Sequence, residues 1–176
     1  METARWRPEV TLRSNSVPIV TPSTKSDDEK GSAVTIAVRY FTKSGNTEKL
    51  ARAIADELNT KAKSVDEPLE GPVDLLFLCN SVYYAGMNAK VRKFVNENAR
   101  NIGCIVNVST AALIDSTYRQ MQGVAKDAGV ELSPQEFHCR GSFSALHAGH
   151  PDEKDLEKAR RFARNVCAQA GKDAVA

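Results

Sequence analysis

From Ala33 onward the chain repeats one pattern: a short apolar, β-rich run, a few polar residues, then a stretch with apolar residues at helical spacing. Val34–Tyr40 is the first such run, and it is as apolar as a parallel strand covered on both faces must be. Thr47–Leu58 follows as a helix, with Leu50, Ala51, Ile54, Ala55 and Leu58 on one stripe and Asn46 or Thr47 placed to cap its start. Lys61–Val65 reads as a weak edge strand and Val73–Asn80 as a buried one. Ser81–Asn88 is a loop, and Ala89–Asn98 a helix with Val91, Phe94 and Val95 inward. Ile102–Val108 is the next strand, Ser109–Asp115 a loop, and Ser116–Gly129 a helix with Tyr118, Met121, Val124 and Ala125 on its apolar face. Glu136–Arg140 is a short strand, Gly141–His150 a third loop, and Pro151–Gln169 the last helix. Pro151, Asp152 and Glu153 suit that helix's first turn, and Leu156, Ala159, Phe162, Ala163 and Val166 form its inner stripe.

This alternation predicts an α/β fold, a doubly wound parallel sheet between two helical layers in a three-layer sandwich. The commonest five-stranded solution has order 2-1-3-4-5 and takes its ligand outside the carboxyl ends of the strands. Residues 1–32 follow no sustained period and carry Pro8, Pro18 and Pro22; they read as a flexible arm ahead of one domain over residues 33–176. Only Val17–Thr21 in that arm suits a short strand or a docking segment.

Composition narrows the function. The chain has 176 residues, 41% apolar and 26% charged, which is the balance of a single soluble globular domain. No apolar run approaches the roughly 18 residues needed to cross a bilayer, and the first thirty or so residues lack the apolar stretch of a secretory signal, so a cytoplasmic protein is expected. The net charge is +2 and the basic residues are scattered, so no nucleic-acid-binding stripe exists. Cys79, Cys104, Cys139 and Cys167 form no C-x-x-C pair and no metal cluster. They read as free thiols, with Cys79 and Cys104 inside apolar runs.

The sharpest local signal is Thr42-Lys43-Ser44-Gly45-Asn46-Thr47, between the first strand and the first helix. A loop of this kind presents backbone N–H groups and hydroxyls at a helix N-terminus, which favours a phosphate. Thr42, Ser44 and Thr47 are candidate hydroxyl donors, and Gly45 allows close backbone approach. An ordinary capped turn would also use these residue types. The chain has no Gly-x-x-x-x-Gly-Lys-Ser/Thr and no Gly-x-Gly-x-x-Gly, so neither a nucleoside triphosphate nor a dinucleotide is the expected ligand.

At these residues the chain resembles the flavodoxin family, whose phosphate signature is Ser/Thr-x-Thr-Gly-Asn-Thr; Ser44 replaces the usual Thr and keeps its hydroxyl. The resemblance spans Val34 to Val166 and extends to Asn80-Ser81-Val82-Tyr83-Tyr84-Ala85-Gly86, and to Phe137–Gly141 with the following helix. It implies FMN as cofactor and electron transfer as activity. It also implies that Ser81, Val82, Tyr83, Tyr84, Ala85 and Gly86 form the second flavin loop, in which either tyrosine could wall the ring. Ser109, Thr110, Ala111 and Leu113 would border the pyrimidine side of the ring. Here the chain departs from many members of the family, because Ser109–Ser116 contains no aromatic residue.

His138 lies in a strand and reads as structural, whereas His147 and His150 lie in the third loop, near either the flavin edge or the last helix. Three functions are compatible with the pattern. The first is a shuttle between redox partner proteins, a reductase and an acceptor. The second is an FMN-dependent oxidoreductase, such as a quinone reductase or a protoporphyrinogen-oxidase-like enzyme. The third is an interaction module that has lost its flavin.

Overall fold

The computed structural model describes residues 34–81, 87–111, 116–142 and 149–173. Its strands are β1 (Ile36–Tyr40), β2 (Ala62–Ser64), β3 (Val73–Ser81), β4 (Ile102–Ala111) and β5 (Glu131–Arg140). Its helices are α1 (Asn46–Glu57), α2 (Ala89–Asn98), α3 (Tyr118–Ala128) and α4 (Glu153–Asp173). The five strands form one sheet in the order β2-β1-β3-β4-β5, and every pair is parallel. This is the doubly wound order expected of the alternation.

The pleat sends successive side chains to opposite helical layers. Val38, Phe77, Cys79, Val106 and Val108 face α1 and α4, where they meet Leu50, Ile54, Leu156, Ala159 and Ala163. Ala37, Leu76, Leu78 and Ile105 face α2 and α3, where they meet Val91, Phe94, Val95, Met121 and Val124. Side chains such as Phe77, Leu76 and Ile105 are wholly buried, and each contributes about 1.5–3 kcal/mol by leaving water. Phe137 of β5 and Phe162 of α4 close the α1/α4 layer, with ring centroids 5.7 Å apart. No described helix is long and apolar enough to cross a membrane.

The elements differ from the sequence pattern at their edges. β4 runs on through Ser109, Thr110 and Ala111, which the pattern places in a loop; in the sheet they pair in register with His138, Cys139 and Arg140. β5 begins at Glu131 rather than Glu136. Pro134 hides the earlier part of that strand, and it is tolerated because β5 is an edge strand whose pairing shifts between Ile105 and Asn107. α4 begins at Glu153, because Asp152 forms a reciprocal cap with Asp155: each carboxylate accepts the other residue's backbone N–H, at 2.9 and 3.2 Å. The arm, the residues Val82–Gly86, Ala112 and Leu113, and the loop residues Phe143 and His147 lie outside the described residues.

All four cysteines are free. Cys79 and Cys139 are buried, while Cys104 and Cys167 are half-buried, so Cys104 sits less deeply than its apolar run suggests. Burial raises every one of these thiols, Cys104 to about 11 and Cys139 to about 12.

Candidate functional site

In a parallel sheet every strand ends, and every following helix begins, on the same side. The described residues among those singled out above for the cofactor therefore meet at the carboxyl edge, around the ends of β1, β3, β4 and β5.

The loop after β1 is built by its own hydroxyl. Gly45 is the N-cap of α1, in the left-handed region at φ 86°, and its N–H donates to Thr42 Oγ1 at 2.9 Å. Asn46 and Thr47, expected as caps, are the first helical residues instead, and no side chain caps the helix. The first helical hydrogen bond runs from Lys49 N–H to the Gly45 carbonyl, at 3.0 Å. The N–H groups of Asn46, Thr47 and Glu48 thus have no carbonyl inside the helix to donate to. Together with the helix dipole they make the start of α1 suited to an anion. Lys43, Ser44 and Gly45 are exposed at the rim.

Two expected phosphate donors have other partners. Thr42 Oγ1 accepts the Gly45 N–H, and Thr47 Oγ1 lies 2.9 Å from Thr110 Oγ1 on β4. Thr47 and Thr110 are both buried, so this contact pins the first turn of α1 to the sheet end. Asn46 Nδ2 donates to the Ser142 carbonyl at 2.8 Å, and Lys49 Nζ donates to the Pro151 carbonyl at 2.8 Å. The start of α1 is therefore tied to both ends of the segment joining β5 to α4.

β3 and β4 end in buried polar residues. Ser81, 5% exposed, stands beside Thr110 in the sheet register, and its hydroxyl has no hydrogen-bond partner. Asn80 is wholly buried, and its Oδ1 likewise has no partner. Buried polar atoms in folded chains are nearly always bonded, so two such atoms at adjacent positions on one sheet edge point to a polar ligand over them. Ser81 faces the α1 layer and Asn80 the α3 layer, so the two atoms look out on either side of the sheet end. This polar sheet end fits a ligand with an anionic head and a flat polar ring.

On the α3 side a hydrogen-bonded row crosses three strands. Asn80 Nδ2 donates to Asn107 Oδ1 at 2.9 Å, and Thr117 Oγ1 donates to the same oxygen at 3.1 Å. Asn107 Nδ2 donates to Glu136 Oε2 at 3.1 Å, and that oxygen also accepts from Ser116 Oγ. The sequence pattern did not single out Asn107, Thr117 or Glu136. The available signal was a lone amide inside each of two otherwise apolar strands, VDLLFLCN and IGCIVNV.

Of the two described histidines, His138 reaches this edge through Ser109, and His150 belongs to the cap of α4. His138 is half-buried in β5, with Nδ1 3.2 Å from Ser109 Oγ. His150 Nδ1 lies 2.7 Å from Asp155 Oδ2, within the cap of α4. Of the residues expected to touch the cofactor, Thr42, Lys43, Ser44, Gly45, Asn46, Thr47, Ser81, Ser109, Thr110 and Ala111 converge on this edge.

The sequence and the fold both have counterparts among known proteins. The family model described as a flavodoxin domain matches residues 37–141. An uncharacterized protein of Methanocaldococcus jannaschii is 28% identical over 135 residues, covering 69% of this chain and 89% of that protein. A flavodoxin from the domain Archaea superposes with a TM-score of 0.60 at 17% identity, covering 76% of this chain and 96% of the other. Flavodoxin 2 of Bacillus cereus gives 0.56 at 19% identity, covering 77% and 99%. A Fusobacterium nucleatum flavodoxin mutant bound to flavin mononucleotide gives 0.52 at 13%, covering 75% and 94%. At such identities the superpositions speak for the fold alone.

Proposed function

Because this chain belongs to the flavodoxin domain family, we propose that it binds FMN at the carboxyl edge of its sheet and carries electrons between redox partner proteins. The reading rests on one juxtaposition. The start of α1, whose first-turn N–H groups behind Gly45 have no carbonyl inside the helix to bond, stands at the same sheet end as the buried, partnerless hydroxyl of Ser81. The N–H groups of Asn46, Thr47 and Glu48 would hold the phosphate, with Ser44 at the rim. The Thr47–Thr110 contact would keep those donors at a fixed distance from the sheet. Ser81, Ser109, Thr110 and Ala111 would meet the ribityl chain and the ring, and residues 82–86 with Leu113 would flank it.

When bound, FMN supplies the redox chemistry, and the protein supplies orientation and electrostatics. The polar sheet end gives the ring hydrogen-bonding partners, and the apolar layers beneath it exclude water.

The test is the colour of the purified protein and its titration with FMN in phosphate-free buffer. A flavin spectrum, or saturable uptake of FMN, is expected. Colourless protein that takes up no FMN would end the proposal. Full reduction of the bound flavin by NAD(P)H alone, with no reductase present, would reassign the protein as an FMN-dependent oxidoreductase.

A further inference from the structure

The carboxyl edge carries two separate polar systems, one on each face of the sheet. On the α1 face, Thr47 meets Thr110, and Asn46 reaches the Ser142 carbonyl. On the α3 face, Asn107 is the hub. It is wholly buried, and all its amide hydrogen-bonding runs sideways: it accepts from Asn80 and Thr117 and donates to Glu136. Asn80 is the next-to-last residue of β3. Thr117 is the N-cap of α3, and its hydroxyl caps no helical N–H but turns back to Asn107. Ser116, just before it, donates to Glu136 and accepts the Tyr118 N–H at 3.0 Å. One side chain therefore joins the end of β3 to the start of α3, the two fixed points beside the space that the ring would enter.

We infer that Asn107 is a positioning residue for the isoalloxazine ring, acting through Asn80 and Thr117 on the α3 face, with no part in holding the phosphate on the α1 face. The inference rests on the FMN reading above. Its physical basis is the cost of a broken buried network. A hydrophobic side chain at 107 would strand the buried Thr117 hydroxyl, remove one contact of the exposed Glu136, and leave Asn80 Nδ2 with only the Leu78 and Val108 carbonyls, so that Asn80 and Thr117 would shift to new partners. Movement at Asn80 and Thr117 alters the ring's surroundings. The phosphate donors lie across the sheet on a different set of contacts.

The experiment compares wild type with Asn107→Leu, using FMN, riboflavin (ring without phosphate) and inorganic phosphate as a competitor. Asn107→Leu should weaken FMN and riboflavin by the same factor, about tenfold or more, and leave inhibition by phosphate within about twofold of wild type. The double variant N107D/E136Q should recover most of the loss. The new carboxylate at 107 still accepts from Asn80 and Thr117, and the new amide at 136 donates to it, so the three bonds to residue 107 persist, with only the one to residue 136 reversed. Equal weakening of phosphate and riboflavin would show a structural role only, and unchanged riboflavin affinity would remove Asn107 from the ring's surroundings; either result overturns the inference. If Asn107→Leu does not fold, Thr117→Val removes a single hydroxyl at nearly constant shape and should give a smaller split in the same direction, with its absence counting against the inference. Wild-type protein that binds neither FMN nor riboflavin would defeat the FMN reading itself, before any variant is compared.

Discussion

The hydroxyls of Thr47 and Thr110 lie 2.9 Å apart and buried, joining the first turn of α1 to the last turn-side residues of β4. Replacing one of them leaves the other without a partner in an apolar setting. Thr110→Val should lower unfolding stability by about 1–3 kcal/mol, the range for a stranded buried polar group. Thr47→Val should cost a similar amount and also weaken FMN, because it loosens the phosphate donors. The pair Thr47→Val with Thr110→Val should cost less than the sum of the single changes, since no polar atom is then stranded. Urea unfolding and FMN titration of the four proteins check the cycle; strict additivity would mean that the contact carries no energy.

Gly45 offers a second handle on the same loop. A Cβ there would touch nothing within 4 Å, so space is available, yet φ is 86°. Gly45→Val should therefore be disfavoured by backbone conformation alone, by about 1–2 kcal/mol or more for a β-branched residue. Gly45→Asn should be milder, because Asn visits that region readily. The expected order of FMN affinity is wild type, then Asn, then Val. Equal affinity in all three would separate the loop from the site.

How much of this was legible in the sequence follows from which forces wrote it. The strand order and helical stripes were readable because burial imposes period 2 or 3.6 on the apolar residues, and Leu50, Val91, Met121 and Ala159 all face inward as the pattern requires. The turn into α1 was legible because Gly45 stands among Thr42, Ser44 and Thr47 between an apolar strand and an amphipathic helix. The cap of α1 was misplaced because the residue chosen by the turn is a glycine, selected by φ rather than by side-chain chemistry. The extension of β4 through Ser109 and Thr110 was hidden because small polar residues look like loop, whereas in the sheet register supplies their partners. The amide hub at Asn107 was invisible for a related reason: its meaning depends on Asn80, Thr117 and Glu136, which come together only through tertiary pairing.

The thiols give a prediction at alkaline pH. Burial raises them above their ordinary value of 9.0, Cys104 to about 11 and Cys139 to about 12, with Cys79 raised as well. The folded state thus keeps protons that the unfolded chain loses. Their contribution is present in full below about pH 9 and declines as pH climbs toward the folded values, by up to about 1.4 kcal/mol per pH unit for each thiol. Urea unfolding between about pH 8 and pH 10.5 should show stability falling with rising pH. Cys139→Ala should be less stable at neutral pH and fall less steeply. An identical slope in that variant would exclude this thiol as a source of the alkaline loss.

The last prediction concerns the electrostatics of the ring. Asp115 is the single carboxylate in the two stretches Ser81–Asn88 and Ser109–Asp115, and the whole chain carries a net charge of +2. Reduced flavin is anionic, so each nearby carboxylate opposes the last electron. The lower of the two one-electron potentials should therefore lie above that of strongly acidic members of the family. Asn88 provides a test, since it is the N-cap of α2 and its side chain accepts the Lys90 N–H at 3.0 Å. Aspartate caps helices equally well, so Asn88→Asp adds charge at the carboxyl edge without disturbing the fold. At about 10 Å and an effective dielectric of about 20–80, one charge contributes roughly 0.4–1.7 kcal/mol. That corresponds to a potential lower by roughly 20–70 mV for a one-electron step, shrinking as salt is added. A redox titration of both proteins at low and high ionic strength reads the shift. An unchanged potential at low salt would place the ring away from the start of α2, and the assignment of the second loop as a flavin contact would go with it.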